Sequence, residues 1–174
     1  DLAADSDLLT LPTSGAYVLT THGTAGQTGN YSFRVLETSQ VDLPLSTLYS
    51  GNFAGSGQAQ LFRVNVPLAK PLMIRLDDSS TADRTELYAK LGTPPTRANY
   101  EYRSLTPGAS DQSVLVPRTT PGTWYFLVYA ESVPVPSTFT LRADTSDVWI
   151  ASVTPDRYSN TAPAQLTLTG AGFR

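Results

Sequence analysis

The stretch Val116-Pro-Arg-Thr-Thr-Pro-Gly-Thr-Trp-Tyr-Phe-Leu-Val-Tyr129 decides the fold of this 174-residue chain. Pro121-Gly122 is a turn dipeptide, and the seven residues after it are β-branched, aromatic or aliphatic, the types that favour a strand. Because side chains alternate along a strand, both faces of this one would be apolar, which predicts a place in the middle of a sheet. One face carries Trp124, Phe126 and Val128, and the other carries Tyr125, Leu127 and Tyr129.

The remaining sequence is a series of short apolar segments separated by turn residues. No window shows the 3.6-residue apolar period of an amphipathic helix. Short strands with regular turn signals predict an all-β chain, built as an antiparallel, jelly-roll-like β-sandwich. The other predicted strands are residues 8–11, 16–21, 30–36, 60–66, 71–76, 86–91, 113–116 and 137–142. The predicted core is Phe62, Val64, Leu72, Ile74, Leu87, Val114, Trp124, Phe126, Val128, Phe139 and Leu141.

Composition excludes several classes of function. The chain has 12 Lys and Arg against 15 Asp and Glu, for a net charge of −3, so no nucleic-acid partner is expected. It has no Cys, which excludes disulfides, thiolate metal sites and a Cys nucleophile. No apolar run reaches the ~20 residues that span a bilayer, so membrane insertion is not expected. Abundant Thr with few Lys and Glu indicates an exported protein, secreted or at the cell surface.

Two pairs of segments indicate an internal repeat. Gly15 and Gly122 precede similar apolar segments and are 107 residues apart, while Tyr31-Ser-Phe-Arg-Val and Phe139-Thr-Leu-Arg-Ala start 108 residues apart. Residues 1–42 are therefore predicted to be the C-terminal strands of a preceding sandwich of the same kind. The alternative is that two unrelated hairpins share a Gly-x-aromatic opening.

Residues 46–144 carry four motifs in order. They are Phe62-Arg-Val64, Asp83-Arg-Thr-Glu-Leu-Tyr88, Gly92-Thr-Pro-Pro-Thr96 and Pro121-Gly-Thr-Trp-Tyr-Phe-Leu-Val128. In this order they resemble the bacterial pre-peptidase C-terminal domain, an accessory β-sandwich appended to secreted proteases and other exported enzymes. The chain departs from that family at Glu86, where Asp is usual, and in lacking the Gly-rich approach to that segment. The resemblance implies a β-sandwich without catalytic residues of its own.

The C-terminal segment carries a second pattern. Val148-Trp-Ile-Ala-Ser-Val-Thr-Pro155 is followed by Ala164-Gln-Leu-Thr-Leu-Thr-Gly-Ala-Gly-Phe173. This pair resembles the opening of an IPT/TIG immunoglobulin-like domain, so residues 148–174 are predicted to be the truncated start of such a domain. Two strands of a sandwich expose apolar edges. They are expected to dock on the main domain, to pair with a neighbouring molecule or to be poorly ordered.

Four carboxylates within ten residues form the best candidate metal site. They bracket a Ser/Thr-rich loop and would offer calcium the oxygen ligands that it prefers. They are Asp77, Asp78, Asp83 and Glu86. The alternative is a solvated acidic loop that pairs with Arg75 and Arg84. The only His, His22, lies in a turn-rich segment, so neither a zinc site nor a Ser-His-Asp triad is expected.

Tyrosines offer a second route to function. Outward rings on a sandwich can stack on sugar rings or contact a peptide, or they can be covered by loops or a domain interface. The pattern places five in outward positions or loops: Tyr88, Tyr100, Tyr102, Tyr125 and Tyr129.

Two functions remain open. One is a non-catalytic accessory or spacer module of a large exported bacterial multidomain protein, whose partners are the neighbouring domains of the same polypeptide. The other is a binding module for polysaccharide or extracellular protein, supported by calcium in the acidic loop. An enzyme is the weakest interpretation, because the sequence offers no set of nucleophile, base and orienting group.

Overall fold

The computed structural model describes residues 9, 11, 13–21, 23, 25–26, 28–30, 33–104, 106, 109–157, 159, 163 and 165–173. Among these residues, none belongs to a helix that is long and apolar enough to cross a membrane. The strands are β1 (Gln40–Asp42), β2 (Tyr49–Phe53), β3 (Ala59–Val66), β4 (Leu72–Asp78), β5 (Arg84–Leu91), β6 (Tyr102–Ser104), β7 (Gln112–Val116), β8 (Gly122–Ser132), β9 (Ser137–Thr145), β10 (Trp149–Thr154) and β11 (Thr167–Ala171).

The strands form three sheets. A five-stranded sheet has the order β1-β3-β8-β5-β6, a four-stranded sheet has the order β2-β9-β4-β7, and β10 and β11 form a hairpin of their own. All pairings are antiparallel except that of β1 with β3, which is parallel. The two larger sheets enclose one hydrophobic core, so the predicted β-sandwich is confirmed.

β8 lies in the middle of the five-stranded sheet, as its sequence predicts. It is the longest strand, with 11 residues, and it pairs with β3 on one side and β5 on the other. Trp124 on the inner face is 2% exposed, and Leu127 on the outer face is 1% exposed. Gly122 opens the strand with φ +147°, a conformation that residues with a Cβ rarely adopt. Both faces of β8 are therefore covered, which explains why both are apolar.

The core lies between the two larger sheets. It is built from every second residue along each strand, the ones that point inward. Among them, Phe62, Ile74 and Phe126 are 0% exposed. All eleven residues predicted for the core belong to it, so the face assignment is confirmed. Burying a side chain of this kind contributes about 1.5–3 kcal/mol to stability.

The N-terminal part differs from its prediction. The described residues before Gln40 contain no strand, so the strand predicted over 16–21 is not formed, nor is the described part of the one over 30–36. Only residues 9 and 11 of the strand predicted over 8–11 are described, and Tyr31 and His22 lie outside the described residues. A strand needs a neighbouring strand to pair with, and the apolar pattern of a sequence does not show whether such a neighbour is present.

Three strands were not predicted. β1, β2 and β6 have three, five and three residues, and each lies at the edge of a sheet. Edge strands are short and polar, so they show little apolar alternation. Residues 149–154 and 167–171 form the antiparallel hairpin β10–β11, and their membership of an immunoglobulin-like domain stays a prediction.

Candidate functional site

The four carboxylates of the predicted metal site lie on three different surfaces. Asp77 is exposed on the outer face of the four-stranded sheet, whereas Asp78 and Asp83 are buried at one end of the sandwich. Glu86 lies opposite Tyr129 on the outer face of the five-stranded sheet. In the part of the chain that the structure describes, no three His, Cys, Asp or Glu form a group that could hold a metal ion. The structure therefore brings together only Asp78 and Asp83 of the four.

Asp83 anchors the turn between β4 and β5. Its side chain is 1% exposed, and both of its oxygens accept hydrogen bonds. The Ser80 hydroxyl donates to Oδ1 at 3.1 Å, and the Ser137 hydroxyl donates to Oδ2 at 2.5 Å. Because Ser137 begins β9, this carboxylate holds the turn to the start of a neighbouring strand.

Asp78 lies beside Asp83, and neither carboxylate forms a salt bridge with a described Lys or Arg. Its Oδ1 accepts the Ser80 N–H at 2.9 Å, while its Oδ2 is buried with no hydrogen-bond partner among the described residues. Its own N–H donates to Oδ1 of Asp111 at 2.9 Å. Burial raises the pKa of the Asp78 carboxyl, and the negative charges of Asp83 and Asp111 raise it further. The sequence analysis missed Asp111, which approaches Asp78 only because β7 pairs with β4.

The same end of the sandwich is closed by neutral polar side chains. Thr85, Ser110 and Gln112 are buried; Thr85 lies at the start of β5, and Ser110 lies in the connection that precedes β7. The Thr85 hydroxyl donates to the carbonyl oxygen of Ser110 at 2.5 Å. The Gln112 amide accepts the Ser104 hydroxyl at 2.9 Å and donates to the carbonyl oxygen of Ala109 at 3.2 Å. At this end of the sandwich, where the core meets the loops, hydrogen bonds join the elements. They also satisfy the buried polar groups.

Glu86 is held by an arginine from the loop between β5 and β6. Arg97 donates from Nε to Oε2 of Glu86 at 2.7 Å and from Nη2 to Oε1 at 2.8 Å, a bidentate pair. Its guanidinium also lies 4.2 Å from the ring centre of Tyr129. The hydrogen bond to Glu86 raises the pKa of Arg97, so the guanidinium stays protonated. Neither Arg75 nor Arg84 is the partner of this carboxylate, contrary to the alternative considered from the sequence.

Aromatic rings extend this cluster across the sheet. The Tyr88 hydroxyl donates to Oε2 of Glu86 at 2.8 Å, and its ring lies 5.2 Å from that of Tyr100. Burial, followed by the hydrogen bond to Glu86, raises the pKa of Tyr88 to about 12. Arg103 lies 5.3 Å from the ring centre of Tyr100. We call these residues, with Arg97 and Tyr129, the aromatic–arginine cluster.

The five tyrosines proposed as a ligand surface have three different fates. Tyr88 and Tyr129 do lie on an outer face, but they are only 3% and 5% exposed. Tyr100 and Tyr125 are half-buried, and Tyr125 lies between Arg63 and Lys90 on the adjacent strands. Tyr102 packs against the core, with its ring 6.0 Å from that of Trp124. The sequence analysis placed Tyr102 in an outward position or a loop, whereas it lies in β6, a strand that the sequence did not reveal.

The loop over the cluster has its own local structure. Thr96 accepts the N–H groups of Ala98 and Asn99 at its hydroxyl, at 3.2 and 3.0 Å. Lys90 donates from Nζ to Oδ1 of Asn99 at 2.8 Å, which ties the loop back to β5. The sequence analysis noted this loop only as a family motif and missed Arg97. The one signal in the sequence that could have indicated this ion pair was the presence of Arg97 in the loop directly after the strand that carries Glu86.

Comparison with known proteins gives a fold and no family. No protein-family model and no curated protein matches the chain. Among solved structures, it is similar to the pre-peptidase C-terminal domain of a collagenase from Bacillus anthracis, with 17% identity and a TM-score of 0.52, covering 64% of this chain and 100% of that one.

Two further structures are similar over comparable shares of the chain. The Yersinia pseudotuberculosis-derived mitogen has 14% identity and a TM-score of 0.43, covering 66% of this chain and 90% of its own. A periplasmic inhibitor of g-type lysozyme from Aeromonas hydrophila has 12% identity and a TM-score of 0.41, covering 62% of this chain and 100% of its own. Both scores are too low to add to the fold assignment. The chain therefore has a β fold similar to that of a pre-peptidase C-terminal domain.

Proposed function

We propose that the β-sandwich is a non-catalytic accessory module that acts as a spacer between other domains of an exported bacterial protein. The observation that carries this proposal is the alignment with a pre-peptidase C-terminal domain over the whole length of that domain. The Thr-rich, Lys-poor composition supports export.

The roles of the buried carboxylates support a structural function. Both oxygens of Asp83 accept hydrogen bonds from serines, and both oxygens of Glu86 accept hydrogen bonds from Arg97. A catalytic carboxylate needs an oxygen that can reach a substrate. These two are engaged in holding a turn and a loop in place.

Turnover assays test the non-catalytic role. The purified protein is incubated with casein, gelatin and a panel of polysaccharides, and release of peptides or reducing sugars is measured. We expect no turnover above that of the heat-denatured protein. Turnover that a single conservative change abolishes, such as Asp83→Asn with its melting temperature unchanged, would contradict the proposal.

A binding module for polysaccharide or extracellular protein is the second candidate. It is favoured by the outer face of the five-stranded sheet, where the half-buried ring of Tyr125 lies between the cations Arg63 and Lys90. An aromatic ring beside cations can stack on a sugar while the charges bind its substituents. Tyr88 and Tyr129 can take part only if the loop between β5 and β6 moves, because they are buried beneath it.

A binding panel separates the two candidates. Titration calorimetry against soluble polysaccharides and collagen-derived peptides is run on the wild type, on Tyr125→Ala and on Tyr17→Ala. Tyr17 is the matched control, because it is 49% exposed and precedes the sandwich. The spacer proposal expects no binding. Binding that is weakened tenfold or more by Tyr125→Ala alone would establish the binding module instead.

The domain boundaries and the calcium site remain proposals. Residues 1–42 were predicted to end a preceding sandwich, but residues 40–42 pair with β3 of this one, so we propose that role only for the residues before β1. We also propose that residues 148–174 begin an immunoglobulin-like domain, and the sequence of the whole gene product tests both proposals directly. If Asp78 and Asp83 hold calcium, saturation at 100 times its dissociation constant adds about 2.7 kcal/mol. The melting temperature would then rise by roughly 4–8 °C for a domain of about 100 residues. An equal midpoint in calcium, magnesium and chelator would exclude the site.

A further inference from the structure

The hairpin β10–β11 leaves the sandwich on a short connector that is tied down. Only residues 146–148 join β9 to β10. The Ser146 N–H donates to the carbonyl oxygen of Pro71 at 3.2 Å. Oδ1 of Asp147 lies 3.0 Å from Nζ of Lys70. Both contacts fasten the connector to the two residues that precede β4.

Those two residues are themselves fixed to the sandwich. The Thr119 side chain is 2% exposed and lies in the connection between β7 and β8. Its hydroxyl donates to the carbonyl oxygen of Lys70 at 2.8 Å, and its N–H donates to the same oxygen at 3.2 Å. The connector is therefore held against a rigid part of the domain and not against a free loop.

Gly172 allows the end of the hairpin to touch this anchor. A Cβ at this position would lie 2.0 Å from the carbonyl oxygen of Asp147 and 3.2 Å from Cγ of Pro71. Its φ of +82° also disfavours any residue with a side chain. Even an alanine would have to push the hairpin away from the connector.

Trp149 adds a contact with the face of the four-stranded sheet. Its ring centre lies 5.1 Å from the guanidinium carbon of Arg75 on β4. Ala171, its partner in the hairpin, is 5% exposed. The indole N–H of Trp149 is buried and has no hydrogen-bond partner among the described residues, so packing and the cation–π contact hold the ring in place.

We infer that Pro71, Arg75, Asp147, Trp149 and Gly172 form a fixed joint, so that the hairpin and the sandwich tumble as one body. This inference rests on the proposed spacer function and deepens it. Joined domains ordinarily move relative to one another when their interface is small. Here a three-residue connector and a glycine that admits no side chain remove that freedom, so the spacer would set the direction of the next domain as well as its distance.

The apolar face of the hairpin takes no part in this joint. Ile150 and Leu168 are 54% and 50% exposed, and Val153, opposite Leu168, is 39% exposed. A register shift between Ile150 and Ser152 places these three side chains on one face. A change on that face therefore serves as a control that alters the hairpin without touching the joint.

Backbone ¹⁵N relaxation of the whole 174-residue chain tests the joint. In the wild type, we expect the amides of β10 and β11 to show the same T1/T2 ratio as those of β3 and β8. Gly172→Ala should lower the order parameters of the hairpin from about 0.85 to below about 0.6. Gly92→Ala is the matched control, because its φ of +77° is similar and no atom lies within 4 Å of the added Cβ.

Gly172→Ala could unfold the hairpin instead of freeing it from the sandwich, so a second pair of variants is needed. Trp149→Ala should loosen the hairpin, whereas Trp149→Phe keeps a ring under Arg75 and should leave the relaxation unchanged. Leu168→Thr should also leave it unchanged. A wild-type hairpin that tumbles independently of the sandwich would overturn the inference. So would unchanged relaxation in both Gly172→Ala and Trp149→Ala. A Leu168→Thr variant that loosens the hairpin as much as Gly172→Ala would overturn it as well. Discovery of a ligand or of turnover would overturn the spacer function without altering these relaxation data.

Discussion

Glu86 and Asp78 are both buried carboxylates, 2% and 6% exposed, but their surroundings are opposite in charge. Glu86 accepts two hydrogen bonds from the guanidinium of Arg97 and one from the Tyr88 hydroxyl. Asp78 faces the carboxylates of Asp83 and Asp111, and its Oδ2 has no partner among the described residues. One buried acid is therefore compensated, and the other is not.

This difference shows that burial alone does not reveal what a carboxylate contributes. The buried charge of Glu86 holds in place the loop that supplies its bidentate partner, Arg97. Removing either residue would leave the other charge buried without a counter-charge. A buried charge beside like charges lowers stability when it is ionised, and neutralising it relieves the fold. A buried carboxylate is thus compensated near the start of β5 and uncompensated at the end of β4.

Truncation of a core side chain, Trp124, gives a reference loss of stability against which changes at Glu86 and Asp78 can be compared. Trp124 is 2% exposed and packs at the centre of the core, and its indole N–H donates to the carbonyl oxygen of Thr120 at 3.0 Å. Trp124→Ala should reduce the free energy of unfolding by roughly 3–5 kcal/mol, because a large cavity and an unpaired acceptor remain. Urea denaturation measures the loss. A value below about 1 kcal/mol would mean that the ring does not fill the core as described.

Removing the partner of Glu86 should have the next largest effect. Arg97→Met keeps most of the apolar side chain but leaves Glu86 buried and unpaired, which should cost roughly 3 kcal/mol. Arg103→Met is the control, because that arginine is exposed and stacks on Tyr100 in the same cluster without bonding to Glu86 among the described residues; its loss should cost about 0.5 kcal/mol. Equal losses in the two variants would show that the bidentate pair is worth no more than a surface contact.

The pH dependence of stability should reveal the uncompensated acid. The folded-state pKa of Asp78 is raised, so between its unfolded and folded pKa values the folded protein binds more protons. Its contribution is fully favourable below the unfolded pKa, about 3.9, and is lost as the pH rises through the folded pKa. Unfolding free energies measured from pH 7 down to pH 4.5 should include a stabilising component on acidification that Asp78→Asn removes. A profile of identical shape in the variant would contradict the assignment.

The core was predictable from the sequence, whereas the environment of the carboxylates was not. Alternation in residues 60–66 and 123–129 identifies inward side chains, because the period of a strand is fixed by covalent geometry. Alternation also places Asp78 inward and Asp77 outward, so proximity in sequence was misleading for the predicted metal site. The partners of these acids depend on which strands pair and on how the loops between them fold.

Arg97 and Asp111 illustrate the limit of sequence analysis. Both lie in loops: Arg97 reaches the Glu86 carboxylate across 11 residues of sequence, and Asp111 accepts the N–H of Asp78 across 33, so neither is marked by local periodicity. Tyr102 was misplaced for a related reason, since its three-residue strand is defined only by its pairing with β5. Contacts made through loops and edge strands are tertiary properties, and a local pattern does not contain them.

The most direct test is the same isosteric change at the two buried acids. Glu86→Gln and Asp78→Asn each remove one negative charge with almost no change in volume, and unfolding free energies at pH 7 are measured side by side by urea denaturation. We expect Glu86→Gln to destabilise the protein by roughly 2 kcal/mol, because Arg97 loses its counter-charge. Asp78→Asn should stabilise it by about 1 kcal/mol, because an unpartnered buried charge becomes an amide that can donate to Asp83. Changes of the same sign at both positions would contradict the distinction between a compensated and an uncompensated carboxylate.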